Sequence, residues 1–348
     1  MPLYKYSAPP FAKKYNKYNE VESPGLAVLV RRDGETVFKE CYGLRDIAAK
    51  ERVNYDTAFR LASVSKQFTA TCIAILEERG ALSSEDHIAK YFDDLPNYMK
   101  DIKIRHLIHH LSGLPRYEED LWSFDRNKPM LTNESVYSYY QKAKHLQFNA
   151  GDKHDYSNGG YTLLALLIEK ISNQKFPDFL NDNIFTPIGM SKTFVFGHSN
   201  SNSNSNSNSN SNSNTNYSES YSEWPFFEPM SFNTGNMLYG EDGVYSSIND
   251  IELWLHALEN NLLLGNFMTT KLFSHTQTNS NERVDYGYGW FQDEIFKYKM
   301  VLHTGEWLGF NSVIARIPSK NLWFAALSNS LAINSCRALE DMASHYLE

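Results

Sequence analysis

The sequence predicts an α+β protein in which the two ends of the chain complete one antiparallel sheet, flanked by helices, with a largely helical middle region. Three observations predict this class. A β-hairpin pattern lies near the N-terminus, helical periodicity dominates about 65–260, and runs of β-forming residues precede a closing helix. The 348 residues, of which 42% are hydrophobic, are enough for one large packed body.

The N-terminal part of the chain divides into an irregular segment and a hairpin. Residues 1–24 lack clear periodicity and are predicted to be an extended arm or an irregular first helix. Residues 26–30 are apolar, Asp33-Gly34 is a strong turn signal, and 37–42 are rich in β-forming residues. These features predict two paired strands.

The helical middle starts with a segment from Ser65 to about Glu78, where apolar residues recur at helical spacing and Gly80 follows as a stop signal. Ser84-Glu85-Asp86 resembles an N-cap followed by acidic residues, which predicts a short helix to about Phe92. Further helices are predicted at 102–110, 133–144, 160–169 and 250–259.

The C-terminal part returns to strand patterns before a last helix. Strands are predicted at 286–291, 300–304, 311–316 and 322–327, with turns at 293–294, 305–306 and 318–320 and a helix at 332–347. A single domain at 25–348 is therefore expected.

Residues 199–216 alternate almost strictly between Ser and Asn. The tract contains no apolar residue that could offset its ordering entropy, so a disordered surface insertion is predicted, one that does not divide the domain. Self-association remains an alternative, because Asn-rich tracts aggregate.

Composition excludes several classes of function. A net charge of -8 and a pI near 5.8 argue against a nucleic-acid partner, since no cluster of Lys and Arg is present. The three cysteines are too few and scattered for a disulfide framework and are expected to be reduced. No N-terminal apolar segment or run of about 18 apolar residues occurs, so the chain as given is expected to be cytoplasmic, without a membrane span. Its oligomeric state is left open.

The motif with most chemical content is Ser63-Val64-Ser65-Lys66. Residues three apart on a helix are neighbours, so the Lys66 amine can lie over the Ser63 hydroxyl while the free N–H groups of the first turn face a ligand. That is the arrangement of an activated serine nucleophile. A second copy, from Ser172 to Lys175, is interpreted as the polar end of another helix.

Two other motifs accompany this one, Tyr156-Ser157-Asn158 and His303-Thr304-Gly305. In this order the three resemble the motifs of the penicillin-recognising serine hydrolases, which include class C β-lactamases, DD-carboxypeptidases and related esterases and aminopeptidases. The segments 111–115, 243–247 and 286–290 are also similar to that family's connecting segments.

The resemblance implies the fold predicted above, with the active site in the crevice between the sheet edge and the helical region. It implies a catalytic role for Ser63, Lys66 and Tyr156, and leaves open whether the lysine or the tyrosine is the base. It implies an oxyanion hole formed by the main-chain N–H groups of Ser63 and Glu306. Substrate-binding roles are implied for Asn158, His303, Thr304 and Gly305.

His303 bears on the choice of substrate, because most of the resembling β-lactamases and DD-peptidases carry Lys there. A histidine is mostly neutral near pH 7, so recognition of a substrate carboxylate is expected to be weaker unless Glu306 raises the pKa of His303. The predicted substrates are therefore esters, small amides or D-amino-acid peptides. A DD-carboxypeptidase, a true β-lactamase and a non-catalytic binding module remain alternatives.

Three histidines, His106, His109 and His110, lie in one predicted helix and raise the question of a metal site. No zincin glutamate follows the first of them, so a role of His109 or His110 in capping the end of that helix is favoured. No metal, nucleotide or other cofactor is predicted.

Overall fold

The computed structural model describes residues 9–198, 216–223, 227–230 and 232–347. Within these ranges the helices are α1 (Ala12–Glu20), α2 (Ser65–Glu78), α3 (Ile104–Ile108), α4 (Tyr117–Leu121), α5 (Asn133–Lys142), α6 (Asn158–Ser172), α7 (Phe176–Leu180), α8 (Thr186–Ile188), α9 (Ile248–Glu259), α10 (Asn266–Leu272) and α11 (Ser335–Leu347). Short 3-10 turns lie at Ala62–Val64, Ile88–Lys90, Asn97–Met99, Thr234–Met237 and Pro318–Lys320, and a π-turn at Asn181–Phe185 joins α7 to α8.

The strands are β1 (Leu26–Arg32), β2 (Glu35–Tyr42), β3 (Leu44–Asp46), β4 (Glu51–Arg52), β5 (Phe59–Arg60), β6 (Phe194–Val195), β7 (Val244–Ser246), β8 (Thr276–Gln277), β9 (Arg283–Val284), β10 (Phe291–Ile295), β11 (Tyr298–Trp307), β12 (Phe310–Ile317) and β13 (Leu322–Ser328). Six of them form one antiparallel sheet in the order β10-β11-β12-β13-β1-β2. The first strand pairs with the last, with Leu26 opposite Ser328. The predicted α+β class is confirmed.

The sheet separates two apolar layers, and the alternation of side chains along β1 shows how. Leu26, Val28 and Val30 belong to the core cluster that α1 and α11 cover. Ala27 and Leu29 point to the opposite face and belong to the larger cluster formed with the helical middle. Successive side chains of a strand face opposite sides, so a strand buried on both faces has a continuous apolar sequence.

Helix α2 lies at the centre of the helical middle, in contact with α6, α7 and α10. Every residue from Ser65 to Leu76 is buried, which accounts for a sequence that is apolar on most sides. Lys66 is among these residues, so the fold places an amine inside the protein at the N-terminal end of α2.

One expectation for the N-terminal half is confirmed in one of its two alternatives, and another is wrong. Residues 12–20 form a first helix, α1, and not an extended arm. It packs on the sheet, and Tyr15 donates a hydrogen bond to Asp341 of α11 at 2.9 Å. The helix predicted from Ser84 is wrong, since only the 3-10 turn Ile88–Lys90 forms there. The Ser84 hydroxyl donates to Glu77 at 2.7 Å and does not cap a helix.

The strand predicted at 286–291 starts later, at Phe291. Its first residues pass too close to other backbone to run as a strand: a side chain at Gly287 would meet the Leu272 carbonyl oxygen at 2.3 Å, and Gly289 has φ of +79°. The closely packed YGYG segment is therefore a loop.

Two predicted turns are also displaced. Residues 293–294 lie inside β10 and 305–306 lie inside β11. The actual turns are at Phe296-Lys297 and Leu308-Gly309, all four of which have positive φ. Positive φ at residues other than glycine has no reliable sequence signal, which explains the error.

The predicted Ser/Asn insertion lies outside the described residues except for Asn216. There the chain lies beside the segment ahead of β5, where the Ala58 N–H donates to the Asn216 oxygen at 2.9 Å. None of the described helices combines the length and the apolar character needed to cross a bilayer. Cys41, Cys72 and Cys336 are free thiols.

Candidate active site

Ser63 lies in a tight turn between a strand and a buried helix. Strand β5 leads into the 3-10 turn Ala62–Val64, and α2 starts directly afterwards, so Ser63 precedes the helix by one turn. Ala62 has φ of 48°, a left-handed conformation that is uncommon for a residue with a side chain. Such strain is typical of functional sites. Ser63 is half-buried between buried neighbours, so it is the residue of this turn with access to solvent.

The Lys66 amine is the centre of the hydrogen-bond network. Its Nζ donates to Ser63 Oγ at 3.0 Å, to Asn158 Oδ1 at 2.9 Å and to the Glu241 main-chain oxygen at 2.8 Å. The side chain is fully buried. The predicted proximity of the hydroxyl and the amine, three residues apart, is therefore present in the structure.

Tyr156 reaches this network from the loop that precedes α6. The helix begins at Asn158 and is capped by Ser157, whose hydroxyl accepts from the Gly160 N–H at 3.3 Å. Lys66 Nζ lies 5.0 Å from the centroid of the Tyr156 ring. The cap at Ser157 thus fixes the backbone between Tyr156 and Asn158, the two residues that contact Lys66 from this segment.

Strand β11 passes close to the 3-10 turn Ala62–Val64, which contains Ser63. In the described part of the chain β10 pairs with β11 only as far as Leu302. The residues of β11 after Leu302 therefore have β12 on one side and the Ala62–Val64 turn on the other. A Cβ atom at Gly305 would lie 3.0 Å from Ser63 N and 2.1 Å from the Leu61 oxygen. Glu306, the predicted second oxyanion donor, follows on the same strand and its side chain is exposed.

His303 is held inside the protein by both ring nitrogens. Nδ1 donates to the Thr304 oxygen at 2.6 Å, and Nε2 accepts from the Tyr286 hydroxyl at 3.0 Å. Burial, and secondly the charge of Lys66, lower the pKa of His303 to about 3. The expectation that Glu306 restores the cation is wrong, and a direct contact with substrate would require one of these bonds to break.

Glu241 is a site residue that sequence analysis missed. Its carboxylate is buried and accepts from the Tyr117 hydroxyl and from the Thr162 hydroxyl, each at 2.6 Å. Burial, and secondly the charge of Glu118, raise its pKa to about 7. The one available signal was the acidic pair between glycines in the sequence GEDG, directly before the segment 243–247.

Glu118 is the second missed residue, and it lies beside Asn158. Its half-buried carboxylate is hydrogen-bonded to the Asn158 side chain and lies within the electrostatic field of Lys66. Burial is the main cause of a pKa raised above its ordinary value. No local pattern distinguishes it from the acidic neighbours Glu119 and Asp120.

The three histidines near α3 face different partners. His106 Nδ1 accepts from the Lys103 N–H at 3.1 Å, and His110 Nδ1 accepts from the Ser157 N–H at 3.1 Å. His109 Nδ1 lies 2.9 Å from the Tyr286 oxygen. His109 caps the end of α3, one of the two alternatives favoured: its main-chain N–H donates to the Arg105 oxygen at 3.0 Å. The side chains of His109 and His110 bond to distant segments.

The second Ser-x-x-Lys copy has no comparable geometry, as predicted. The Ser172 hydroxyl donates to the Ile168 oxygen at 2.7 Å at the end of α6, and Lys175 pairs with Glu169 at 3.3 Å with 66% of its side chain exposed. A Ser-x-x-Lys sequence therefore brings its hydroxyl and amine together only at Ser63 and Lys66, where the fold also supplies Asn158 and Glu241 as acceptors for the amine.

Gly305→Ala is expected to reduce the rate of Ser63 acylation by about 100-fold, because β11 must move away from the Ala62–Val64 turn to make room for a methyl group. The rate would be measured with p-nitrophenyl acetate, beside thermal unfolding. Gly160→Ala is the control, since its new carbon would meet its nearest neighbour at an ordinary 3.4 Å. Equal rates in wild type and Gly305→Ala would contradict this prediction.

A family model described as Beta-lactamase matches residues 11–345. The chain belongs to the β-lactamase family. The matched range includes α1 as well as the sheet and the helical middle, and the three motifs lie within it.

Curated proteins that are similar to this chain have several names. The chain is 30% identical to Penicillin-binding protein 4* of Bacillus subtilis over 307 residues, 87% of this chain and 67% of that protein. It is 25% identical to Protein flp of Staphylococcus aureus over 318 residues, 88% of this chain but only 59% of that protein. A D-aminopeptidase of Brucella anthropi is 30% identical over 175 residues, 49% of this chain and 32% of that protein.

Two solved structures share the fold of this chain. A D-amino acid amidase from Ochrobactrum anthropi in complex with D-phenylalanine has a TM-score of 0.78 at 19% identity, covering 96% of this chain and 97% of that one. An octameric penicillin-binding protein homologue from Pyrococcus abyssi has a TM-score of 0.77 at 23% identity, covering 97% and 75%. At these identities the likeness concerns the fold.

Proposed function

We propose that this β-lactamase-family chain is a serine hydrolase that forms an acyl-enzyme on Ser63, with Lys66 and Tyr156 as the acid and base. The observation that carries the proposal is the 3.0 Å contact between Lys66 Nζ and Ser63 Oγ. Ser63 Oγ attacks the carbonyl carbon of the substrate while its proton passes to the pair formed by Lys66 and Tyr156. The pair returns that proton to the leaving group, which departs, and water then hydrolyses the acyl-enzyme, releases the acid and restores Ser63.

Distance supports a division of labour between the two groups. Lys66 is in hydrogen-bond contact with the nucleophile and is the candidate for the first proton transfer. Tyr156 lies beside the same amine, with Nζ 5.0 Å from its ring centroid, and is the candidate for delivering the proton to the leaving group. The main-chain N–H groups of Ser63 and Glu306 would stabilise the oxyanion, a contribution of about 10²- to 10³-fold for one donor.

The charges around the crevice support a substrate class. His303 is neutral, so it offers no cation to a substrate carboxylate. The Glu118 carboxylate beside Asn158 offers an anion instead. An amide or ester with a free amino group near its carbonyl complements this arrangement, and two similar proteins are named D-aminopeptidase and D-amino acid amidase. We propose such amino-acid amides, esters and short D-amino-acid peptides as substrates.

Glu118→Gln is expected to lower kcat/KM for D-alanine p-nitroanilide by about 10- to 100-fold, since a charged hydrogen bond to the ammonium is lost. The N-acetylated substrate should be affected less than about threefold, because it carries no ammonium. Glu119→Gln, an exposed neighbour, is the matched control. An equal fall in kcat/KM for both substrates would contradict the proposed contact between Glu118 and the substrate ammonium.

Intact-mass spectrometry tests the reaction class. Wild type and Ser63→Ala would each be incubated with p-nitrophenyl acetate, a fluorescent penicillin and a fluorophosphonate. Adducts on wild type alone are expected, and a dominant penicillin adduct would favour a penicillin-binding protein or β-lactamase activity over an amidase. If folded wild type forms no adduct, the proposal fails in favour of a non-catalytic binding module.

A further inference from the structure

One buried residue, His110, contacts Tyr156 and the residues on either side of it. The Asp155 N–H donates to the His110 main-chain oxygen at 2.9 Å, and the Ser157 N–H donates to His110 Nδ1 at 3.1 Å. The donors are the residues on either side of Tyr156. The two rings pack with centroids 4.2 Å apart and planes at 37°. We infer that His110 is the residue that positions Tyr156 for catalysis, an inference that rests on the proposed function.

His110 is itself firmly placed. It is fully buried and has φ of 58°, a conformation in which most residues other than glycine and asparagine are strained by roughly 1 to 2 kcal/mol. Its ring also packs against Tyr286 at 4.5 Å and Tyr161 at 5.2 Å between centroids. The strained backbone is what allows one residue to offer both its carbonyl oxygen and its side chain to the same loop.

The bond from Ser157 requires a neutral imidazole with its proton on Nε2, so that Nδ1 keeps its lone pair. Burial, and secondly the charge of Lys66, hold the pKa of His110 well below its usual value, so the ring remains neutral at ordinary pH. Positioning by His110 therefore does not depend on pH near neutrality. A misplacement of about 1 Å at a reacting group costs on the order of 100-fold in rate, which sets the scale of the effect.

Three variants separate positioning from packing. His110→Asn keeps an acceptor oxygen close to the place of Nδ1 and tolerates the left-handed backbone. His110→Gln and His110→Ala remove that acceptor from the reach of Ser157. We expect kcat for hydrolysis of D-alanine p-nitroanilide, whose leaving nitrogen must gain a proton, to fall about 10- to 100-fold in the Gln and Ala variants with KM within about twofold. In the Asn variant kcat should recover to within about fivefold of wild type.

His106→Asn and His106→Gln are the matched controls. His106 is a buried histidine of α3 whose Nδ1 also accepts a main-chain N–H, but its partner is Lys103 and not a residue beside Tyr156. These variants should change the melting temperature without changing kcat. Circular dichroism at the assay temperature would establish that each variant is folded. If His110→Ala does not fold, the comparison of His110→Asn with His110→Gln still tests the inference.

A double-mutant cycle tests whether His110 acts through Tyr156. On a Tyr156→Phe background, His110→Gln should lower kcat by less than about threefold, because the hydroxyl that it positions is gone. The same loss on both backgrounds, or an Asn variant as slow as the Gln variant, would overturn the inference.

The failure of this inference can be told apart from failure of the proposed function. If wild type forms no Ser63 adduct with p-nitrophenyl acetate, both are overturned. If wild type is acylated but Tyr156→Phe hydrolyses D-alanine p-nitroanilide at the wild-type rate, the role of Tyr156 and this inference fail while the role of Ser63 stands. If only the variants at 110 match wild type, the inference alone fails.

Discussion

Lys66→Met is expected to lower the rate of Ser63 acylation by roughly 10²- to 10⁴-fold, the usual contribution of a general acid or base. The reason is that Nζ is the group in hydrogen-bond contact with Ser63 Oγ, at 3.0 Å. Methionine keeps most of the buried volume, so the fold should persist. Asn158 and Glu241 each lose the donor to their oxygen atom, which costs about 1 to 3 kcal/mol of stability per acceptor. This loss is offset in part because the variant no longer buries an ammonium group.

The measurement is the burst of p-nitrophenol from p-nitrophenyl acetate, together with chemical unfolding of both proteins. Lys175→Met is the matched control, since Lys175 occupies the same place in the second Ser-x-x-Lys sequence but is mostly exposed and paired with Glu169. Its rate should equal that of wild type. A folded Lys66→Met protein that is acylated within about tenfold of the wild-type rate would remove Lys66 from the proposed mechanism.

Acidification is expected to destabilise the protein steeply below about pH 6.5, the ordinary pKa of histidine. Burial lowers the pKa of His106 and His303 to about 3 and of His109 to about 4, and places that of His110 well below its usual value. As the pH falls, the unfolded chain binds protons that the folded chain cannot. Each of these histidines then lowers the free energy of unfolding by about 2 kcal/mol at about pH 5, and the four together lower it by about 8 kcal/mol.

Glu241 acts in the opposite direction. Its folded pKa is raised to about 7, so its neutral form stabilises the fold as the pH falls from about 7 towards its ordinary value of 4.5. That contribution is about 2 to 3 kcal/mol at about pH 5, which leaves a net loss of roughly 5 kcal/mol. Such a loss is comparable to the whole stability of many domains.

Urea unfolding followed by tryptophan fluorescence at about pH 7.5, 6 and 5 would measure this loss. His106→Gln removes one titrating group away from the catalytic residues and should reduce the loss at about pH 5 by about 2 kcal/mol. A free energy of unfolding that is constant over this range would contradict the neutral, buried state of these histidines.

The sequence by itself determined the elements whose signals are local. The hairpin of β1 and β2 follows from apolar runs around Asp33-Gly34, both of which have positive φ in the turn. The interiors of α2, α6, α9 and α11 follow from helical periodicity, and Ser247 caps α9. The proximity of Ser63 and Lys66 also follows from local geometry, because spacing along a helix fixes which side chains are neighbours.

Only the tertiary structure decided which residues surround that pair. Glu118 and Glu241 look like ordinary acidic residues in sequence, and His110 looks like one of three similar histidines. Their roles depend on contacts over 40 to 175 positions, such as Lys66 with Glu241 and His110 with Ser157. The same holds for the YGYG segment, which has a strand-like sequence but is prevented from forming a strand by the backbone of α2 and α10. Burial and close packing are properties of the assembled chain, and they set the pKa of His303 as well as the environment of the nucleophile.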